Sequence, residues 1–194
     1  MGIEQIPWLY DALMALNERG LRRWRARLGA EARGQVLELG CGTGRNLEAL
    51  PAGCRAVAID PWLPSLRRAA ARAPHVPLVC ARAEALPFKD GAFDTALSAL
   101  VFCSVARPDD GLAEVRRVLA PGGALRMLEH VRSRHRLWAR LQDAVQPAWT
   151  WLNGGCHPNR DTEAAVARAG FRLDAAASRA RGTLRLIVGV RRAP

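Results

Sequence analysis

The sequence predicts an α/β fold with a mostly parallel sheet and helices on both of its faces. Three observations support this prediction. Apolar runs of strand length alternate with helical segments from residue 35 onward, as parallel strand connections require. The first run carries Glu38 near its end and is followed by a glycine-rich loop, Gly40-Cys41-Gly42-Thr43-Gly44. The second run ends in a carboxylate, Asp60, about 20 residues further on.

Apolar periodicity and turn residues divide the first half of the chain into elements. Residues 3–31 have apolar positions at helical spacing and predict one or two helices. Glycine lets the backbone turn sharply after the first strand, and a helix is expected to begin in the loop with its N-terminus toward a ligand. The expected strands are 35–39, 55–60, 77–81 and 93–99, and the expected helices between them are 44–50 and 63–73.

Proline and glycine set the boundaries in the second half. Pro108 fits the first turn of a helix, and Pro121-Gly122-Gly123 predicts a sharp turn before a strand. Gly170 is expected to cap the last helix in a left-handed conformation. Because no helix separates the last two predicted strands, one of them should be antiparallel. The expected helices are 108–119, 133–152 and 161–169, and the expected strands are 124–129, 171–175 and 183–190.

The formal net charge of +11 is almost entirely due to arginine, because Lys89 is the only lysine. Two interpretations stay open: a genome that favours arginine codons, or a surface attracted to an anionic partner. The arginines are not interleaved with aromatic residues in a sheet pattern, so no nucleic-acid partner is expected. Peripheral contact with an anionic membrane is the prediction that the charge leaves open.

The cellular location is predicted from targeting signals and cysteine usage. Residues 1–9 have no basic flank and no long apolar run, and no window is apolar enough for a transmembrane span. The five cysteines are odd in number and form no C-x-x-C pair, which is typical of free thiols in a reducing compartment. The expected location is therefore the cytoplasm. The sequence does not indicate an oligomeric state.

The chain resembles the class I S-adenosylmethionine (SAM) dependent methyltransferases. The resemblance covers residues 34–130 and rests on the glycine loop and Asp60, on Ala83-Glu84-Ala85-Leu86-Pro87-Phe88 with Gly91-Ala92-Phe93-Asp94, and on Leu119-Ala120-Pro121-Gly122-Gly123. It implies a Rossmann-like, doubly wound, seven-stranded sheet with one antiparallel strand and N-terminal helices. The chain would be a single domain over 1–194, with a helical lid at 1–31, a SAM-binding core at 34–130, and substrate-side helices and the last two strands at 131–194.

The resemblance also implies which residues hold SAM and the product S-adenosylhomocysteine. The glycine loop would hold the methionine part, Asp60 the ribose and the Ala83-Glu84 loop the adenine. Arg82 stands where many relatives have an aspartate that bonds the adenine amino group. Since arginine cannot accept that bond, Glu84 or a backbone carbonyl is expected to replace it. The expected cofactor contacts are Glu38, Gly40, Cys41, Gly42, Gly44, Asp60, Pro61, Ala83, Glu84 and Leu100.

A closer resemblance, from about residue 36 to 171, is to the thiol S-methyltransferases of the methyltransferase-like 7 group. It implies methylation of small or lipophilic thiols and of hydrogen sulfide. Those relatives begin with a membrane-anchoring hydrophobic segment that is not evident here, so anchoring is not expected. The resemblance rests on Leu100-Val101-Phe102-Cys103-Ser104-Val105, Met127-Leu128-Glu129-His130-Val131, Gln146-Pro147-Ala148-Trp149, Gly155-Cys156 and Arg160-Asp161-Thr162.

The candidate catalytic residues are Glu129 and His130, which end the fifth predicted strand at the ligand-binding edge of the sheet. They could act as a general base toward a thiol or an amine, or could serve only as a structural pair. Methyl transfer from a sulfonium needs little acid–base help, because in-line positioning can supply most of the rate. Tyr10, Cys103 and Trp149 are the candidate substrate contacts.

Two further patterns have more than one interpretation. Cys156-His157 superficially resembles a metal-ligand pair, but adjacent residues chelate poorly, so no metal is expected. Apolar residues at helical spacing after the fifth strand predict a core-facing stripe, the roof of an apolar pocket, or a contact with a membrane beside nearby arginines. These residues are Trp138, Leu141, Val145, Trp149, Trp151 and Leu152, and the arginines are Arg132, Arg134, Arg136 and Arg140.

The predicted function is SAM-dependent methylation of a small molecule, with a thiol as the first choice. Methylation of a quinone precursor or a phospholipid amine is the alternative. An RNA methyltransferase is disfavoured, because Ser98-Ala99-Leu100-Val101 stands where an N-P-P-Y-type motif would follow the fourth strand. Arg82 keeps open the interpretation that the chain is a non-catalytic SAM-binding protein, although the intact loop and Asp60 argue against it.

Overall fold

A computed structural model describes residues 20–152 and 155–193, and its centre is an eight-stranded sheet. The strand order is β3-β2-β1-β4-β5-β8-β6, with β7 also paired to β8. The predicted contact Tyr10 and most of the predicted N-terminal lid lie outside the described residues. The strands are β1 (Gln35–Leu39), β2 (Arg55–Asp60), β3 (Leu78–Cys80), β4 (Phe93–Ala99), β5 (Leu119–His130), β6 (Phe171–Leu173), β7 (Arg179–Arg181) and β8 (Leu184–Arg191).

Helices cover both faces of this sheet, as the alternation of elements predicted. On one face, α1 and α2 pack on Val36, Ala58 and Leu97. On the other face, α3 and α5 pack on Leu37 and Met127. None of the helices in the described part of the chain has the length and hydrophobicity needed to cross a bilayer. The helices are α1 (residues 20–29), α2 (Leu63–Arg72), α3 (Pro108–Val118), α4 (Arg136–Leu152) and α5 (Thr162–Arg168).

The direction of each strand follows the prediction, with one addition. Strands β3, β2, β1, β4 and β5 run parallel, and β8 is antiparallel to β5, as expected for one of the last two strands. The additional strand is β7, which forms a hairpin with the start of β8. Its three residues are all exposed, so no apolar alternation marks it in the sequence. Within the described residues the sheet therefore has eight strands, one more than predicted.

The predicted helix over residues 44–50 is wrong. The chain forms turns from Gly42 to Asn46 and then only a short 3-10 helix at Leu47–Ala49. Gly44 has a φ of 84°, which is incompatible with an α-helix. Pro51 then pushes Leu50 into an extended conformation and ends the segment. No α-helix therefore begins at the glycine loop, and no helix N-terminus faces a ligand there.

The predicted turn at Pro121-Gly122-Gly123 is instead a bulge inside β5. Phe93 pairs with Leu119 and Thr95 pairs with Ala124, so one residue of β4 lies opposite four residues of β5. Gly122 has a φ of 78°, and a Cβ on Gly123 would lie 2.8 Å from a backbone oxygen. Only glycine fits both positions, and β5 therefore begins before the motif rather than after it.

A buried arginine on β5 joins the sheet to the end of α1. The Arg126 side chain is 3% exposed. Its Nε donates to the carbonyl oxygen of Leu28 over 2.8 Å, and a terminal nitrogen donates to that of Arg27 over 2.8 Å. Glu31 accepts from the other terminal nitrogen over 2.7 Å. These carbonyls are the last of the helix and have no partner within it, so the guanidinium caps α1.

Candidate active site

The centre of the candidate site is the Asp60 carboxylate at the end of β2. Its Oδ2 accepts a hydrogen bond from the backbone nitrogen of Gly42 over 2.9 Å, and its Oδ1 accepts one from that of Trp62 over 2.8 Å. Burial raises the pKa of Asp60, and the two backbone donors oppose that effect. Each carboxylate oxygen can accept more than one hydrogen bond, so this geometry leaves acceptor capacity for a ligand.

The three glycines of the loop have different tasks. A Cβ on Gly40 would lie 2.6 Å from Val101, and a Cβ on Gly44 would lie 3.1 Å from the backbone of Ala69 in α2. These two glycines allow close packing against protein. Gly42 has a φ of 53°, and a Cβ there would meet no protein atom within 4 Å. The Gly42 side of the loop therefore borders open space beside Asp60, as expected for a ligand cradle.

Glu38 lies beneath the loop and does not reach the surface. One carboxylate oxygen accepts from Asn46 Nδ2, and Asn46 Oδ1 in turn accepts from the buried Arg25. Within the described ranges, the second oxygen of Glu38 has no hydrogen-bond partner. Burial raises the pKa of Glu38 from 4.5 to about 7, while the bond from Asn46 and the charge of Arg25 lower it. Cys41, in the loop itself, is a buried thiol whose pKa is raised, mainly by burial.

Strained backbone follows the end of β4. Leu100 has a φ of 60°, which makes it the one non-glycine residue with a positive φ in the described part of the chain. Its backbone nitrogen donates to the carbonyl oxygen of Leu128 over 2.7 Å, which holds it in place. A branched side chain is rarely found in this conformation, and such outliers cluster at ligand sites. The position fits the predicted cofactor contact at Leu100.

Glu129 fixes the segment that follows Leu100. One of its carboxylate oxygens accepts hydrogen bonds from the backbone nitrogens of Val101 and Phe102, both over 3.0 Å, and from Ser98 Oγ over 3.3 Å. The side chain is completely buried, and this burial raises its pKa. The contacts are those of a residue that positions the loop after β4.

His130 ends β5 on the opposite face from Glu129, because side chains alternate along a strand. Its imidazole is partly buried, and it forms no hydrogen bond or ion pair with any residue in the ranges 20–152 and 155–193. Burial lowers the pKa of His130 below 6.5. The ring is therefore neutral near pH 7 and can accept a proton.

Two cysteines that are distant in the sequence meet beside Glu129. The buried Cys103 thiol and the partly buried Cys156 thiol are hydrogen-bonded to each other, and Trp149 bonds the Cys156 thiol. The bond from Cys103, then that from Trp149, and the charge of Arg160 lower the pKa of Cys156 to about 7, against burial and the charge of Glu129. The pKa of Cys103 is raised, first by its bond to Cys156. Of the two thiols, Cys156 is therefore the one that ionises more readily.

Arg160 closes this region. One terminal nitrogen donates to the carbonyl oxygens of Phe102, over 2.5 Å, and Val105, over 2.7 Å. The backbone nitrogen of His157 donates to the carbonyl oxygen of Cys103 over 2.8 Å. These bonds tie the segment after α4 to the loop after β4. Cys156 and Arg160 thus join the predicted substrate contacts Cys103 and Trp149, although sequence reasoning gave neither a role at the site.

In the predicted adenine-binding segment, the Glu84 carboxylate already has protein partners. The Glu84 side chain is 6% exposed, accepts from the backbone nitrogen of Arg107 over 3.4 Å and lies 3.7 Å from Arg82 Nε. These partners draw the carboxylate toward protein groups rather than toward a ligand. Ala83 is buried next to it, and Pro61 is exposed after Asp60. A backbone carbonyl therefore fits the adenine contact better than the Glu84 side chain does.

A separate cavity of about 730 Å³ lies beyond the end of β5, between α5 and the β7–β8 hairpin. It contains none of the predicted cofactor or substrate residues. Its polar lining includes Arg132, Arg134, Arg185, Asp161 and Glu163. Its volume is sufficient for a small ligand, but the hydrogen bonds and strained backbone of the Asp60 edge mark that edge as the site.

Comparison with known proteins identifies the family and the fold. A family model described as a methyltransferase domain matches residues 37–127, which run from β1 through the bulge of β5. A solved structure of an S-adenosylmethionine dependent methyltransferase from Mesorhizobium loti superimposes with a TM-score of 0.67, at 18% identity, over 88% of this chain and 97% of that one. At that identity the superposition shows the fold alone, which is the predicted Rossmann-like one.

The sequence relatives are more specific. The human thiol S-methyltransferase TMT1A is 35% identical over 84% of this chain and 70% of its own length. The human thiol S-methyltransferase TMT1B is 37% identical over 69% of this chain, and the match spans only 58% of its length. A demethylmenaquinone methyltransferase from Thermus thermophilus is 41% identical over 62% of this chain and 60% of its own length.

Proposed function

Since the chain belongs to the SAM-dependent methyltransferases, in the family that includes the thiol S-methyltransferases, we propose that it transfers a methyl group from SAM to a small or lipophilic thiol. The observation that carries the methyltransferase assignment is the Asp60 carboxylate, held by the amides of Gly42 and Trp62 beside the open face of Gly42. The thiol assignment rests on the relatives, and the residues at the end of β5 support it.

The residues at the carboxyl edge of the sheet fit SAM. Asp60 presents two fixed oxygens that can accept hydrogen bonds from the vicinal hydroxyls of a ribose. Gly42 leaves room for the ligand to approach the backbone closely, and Leu100 lies at the end of β4 where the reacting end of the ligand would be. When bound, SAM supplies an electrophilic methyl group on a sulfonium.

His130 is the group we assign to the proton of the acceptor. A thiol must lose its proton to become the thiolate nucleophile. The neutral imidazole can take that proton, because burial keeps the His130 pKa below 6.5 and the ring has no competing partner in the described ranges. With SAM bound, the acceptor sulfur would gain the methyl group, the bond from the methyl carbon to the sulfonium would break to leave S-adenosylhomocysteine, and the proton would pass from His130 to solvent.

Glu129 acts as a positioning residue rather than as a base. Its carboxylate is enclosed and accepts from the amides of Val101 and Phe102. A proton on it would weaken the bonds that fix the loop after β4. Arg160 holds the same loop through the carbonyl oxygens of Phe102 and Val105. Together they keep the loop rigid, and in-line transfer depends on such orientation.

The second candidate function is methylation of a quinone precursor, which the likeness to the demethylmenaquinone methyltransferase favours. A neutral His130 could also take a proton from a carbon or oxygen acceptor. The base alone therefore does not distinguish a thiol acceptor from a quinone precursor. The thiol assignment is preferred because TMT1A is 35% identical over 84% of this chain, whereas a quinone C-methyltransferase that covers the same share is 29% identical.

The test is a coupled assay for S-adenosylhomocysteine release with purified protein and SAM. The acceptors are a series of alkyl thiols, hydrogen sulfide, a demethylquinone and phosphatidylethanolamine. Turnover with thiols, rising with their lipophilicity, is the expected result. Turnover with only the quinone or the lipid would overturn the thiol assignment and keep the methyltransferase. SAM binding without turnover on any acceptor would favour a non-catalytic SAM-binding protein.

A further inference from the structure

Helix α4 presents its apolar side chains to solvent. Leu137, Leu141, Val145 and Trp149 recur every four residues along it, and Trp138 lies beside them. Their exposed fractions range from 43% to 68%, and Trp151 in the last turn is 78% exposed. Of the interpretations left open for this stripe, the one in which it faces the core is therefore wrong. Monomeric soluble proteins rarely expose a contiguous apolar patch of this kind without a partner.

The opposite side of α4, which faces the protein, is polar. Ala139, Gln142, Gln146 and Thr150 form this inner seam. Gln142 accepts from the backbone nitrogen of Ser133 over 2.7 Å and donates to the carbonyl oxygens of Val131 and Pro158, both over 3.2 Å. The seam is satisfied by specific hydrogen bonds, so the orientation of the helix is fixed and rolling the apolar stripe inward would break those bonds. The polar side of α4 thus faces the protein and its apolar side faces solvent, which is the reverse of a helix that packs on a core.

Unneutralised arginines line one edge of this apolar face. Arg136 and Arg140 are exposed, lie one turn apart beside Leu137 and Trp151, and form no ion pair within residues 20–152 and 155–193. Arg132 and Arg134, just before the helix, are paired with Asp143 and Glu163. The edge of the face is therefore positive, in a chain whose net charge is +11.

We propose that this face of α4 docks on the surface of an anionic lipid bilayer, with Trp138, Leu141 and Val145 entering the headgroup region and Arg136 and Arg140 contacting lipid phosphates. Aliphatic and tryptophan side chains flanked by arginine are the composition that interfacial helices use. In a contact between two copies of α4, the one carboxylate of the helix, Asp143, is already paired with Arg132, so the copy offers Arg136 and Arg140 no acidic partner. A nucleic acid would leave the aliphatic centre of the face without a partner.

Docking of α4 on a bilayer does not depend on the proposed methyl transfer. Helix α4 follows the end of β5 by a short segment, so the docked face lies near the carboxyl edge of the sheet where His130 and the thiol cluster are located. A bilayer on this face would bring lipid-dissolved acceptors close to that edge. Binding to the bilayer can be measured without SAM or any acceptor, and its failure is therefore distinguishable from the failure of the methyltransferase assignment.

The experiment is co-sedimentation of the full chain with vesicles of phosphatidylcholine mixed with phosphatidylglycerol, and with vesicles of phosphatidylcholine alone. Leu141→Glu/Val145→Glu tests the apolar centre, and Arg136→Glu/Arg140→Glu tests the positive edge. The matched control is Arg172→Glu/Arg192→Glu, which makes the same charge change on exposed residues at the amino edge of the sheet. All substituted residues are exposed, and circular dichroism with thermal unfolding checks that each variant is folded.

We expect binding to the mixed vesicles that weakens with salt and little binding to phosphatidylcholine alone. Arg136→Glu/Arg140→Glu should weaken it by roughly thirtyfold or more, and Leu141→Glu/Val145→Glu by about tenfold or more, while the control variant loses far less. Absence of binding by the wild type would overturn the proposal. So would an equal loss in the control variant, or a dimer in analytical ultracentrifugation that Leu141→Glu/Val145→Glu dissociates.

Discussion

The Asp60 carboxylate and the backbone nitrogen of Gly42 are joined by a hydrogen bond of 2.9 Å that ties the end of β2 to the glycine loop after β1. The two neighbouring strands pair in parallel, with Leu39 opposite Ile59, so their carboxyl ends lie side by side. The carboxylate therefore shapes the loop in addition to facing the ligand space. The loop and the carboxylate form one unit, and a substitution in either is expected to change the conformation of the other.

Asp60→Ala should weaken SAM binding by about two orders of magnitude, because it removes two hydrogen-bond acceptors and the tether on Gly42. Isothermal titration calorimetry with SAM measures this loss. Asp110→Ala serves as the control, because it removes a surface carboxylate whose one ion pair among residues 20–152 and 155–193 is with Arg107. An unchanged affinity in Asp60→Ala would show that the ribose site is elsewhere.

Gly42→Ala and Gly53→Ala form a matched pair. Both glycines have positive φ, at 53° and 91°, and an added Cβ would meet no protein atom within 4 Å at either position. Each substitution should therefore cost about 1–2 kcal/mol of unfolding free energy from backbone strain. Only Gly42→Ala should also lose SAM affinity, since its Cβ enters the ligand space. Equal SAM affinity in the two variants would contradict the cradle at Gly42.

Glu38→Gln should change the pH dependence of stability. Burial raises the pKa of Glu38 from 4.5 to about 7 in the folded state, so its contribution to stability is fully present below pH 4.5 and is lost as the pH rises through about 7. Glutamine keeps the oxygen that accepts from Asn46 and carries no charge. The melting temperature of the variant should therefore rise relative to that of the wild type as the pH rises through about 7.

The control for this prediction is Glu48→Gln, which changes an exposed carboxylate in the same region of the chain. The difference in melting temperature between this variant and the wild type should stay small across the same pH range. A difference for Glu38→Gln that does not depend on pH would mean that Glu38 is ionised at all of these pH values in the folded protein.

His130→Gln should lower turnover with a thiol acceptor by about two orders of magnitude while leaving SAM affinity nearly unchanged. Because burial lowers the pKa of His130 below 6.5, the wild type should gain activity as the pH rises through a midpoint below that value. That acid limb should be absent from the pH profile of kcat/KM in the variant. His135→Gln, at an exposed histidine, is the control. Wild-type turnover in His130→Gln would make the imidazole structural.

The Cys156 thiol should react with iodoacetamide with a midpoint near pH 7, because the Cys103 and Trp149 donors and the charge of Arg160 lower its pKa from 9.0. Cys103→Ala removes the largest of these contributions and should raise the midpoint. Mass spectrometry of the alkylated peptides resolves Cys156 from the exposed Cys80 in the same sample. A midpoint near 9 in both the wild type and the variant would refute the hydrogen bond between the two thiols.

Strand boundaries were predictable where chemistry marks both ends of a run. Gln35–Leu39 and Arg55–Asp60 match the predicted bounds, because glycine and a carboxylate end the apolar runs. The helix after the loop was not predictable from periodicity. Asn46 binds Glu38 and Arg25 beneath the loop, and these tertiary bonds override a local helical preference.

The site was predictable in the part that depends on strand order. Parallel pairing alone brings the glycine loop and Asp60 to one edge of the sheet. The contact between Cys103 and Cys156 depends on how the segment after α4 folds back, and no pattern in the sequence encodes that path. For α4 the period of the apolar stripe was recognisable. The side of the helix that faces the protein is set by the bonds of Gln142, which periodicity does not report.

The cap that Arg126 places on α1 also bears on the synthesis of the chain. The guanidinium and the Leu28 carbonyl that it caps are separated by 98 residues. Helix α1 is therefore synthesised long before Arg126, which caps it. The side of α1 that packs on the sheet stays uncovered until β5 has been translated and has paired. Contacts of such long sequence separation close late. Helix α1 is therefore an element that a nascent-chain chaperone would have to shield until β5 has emerged.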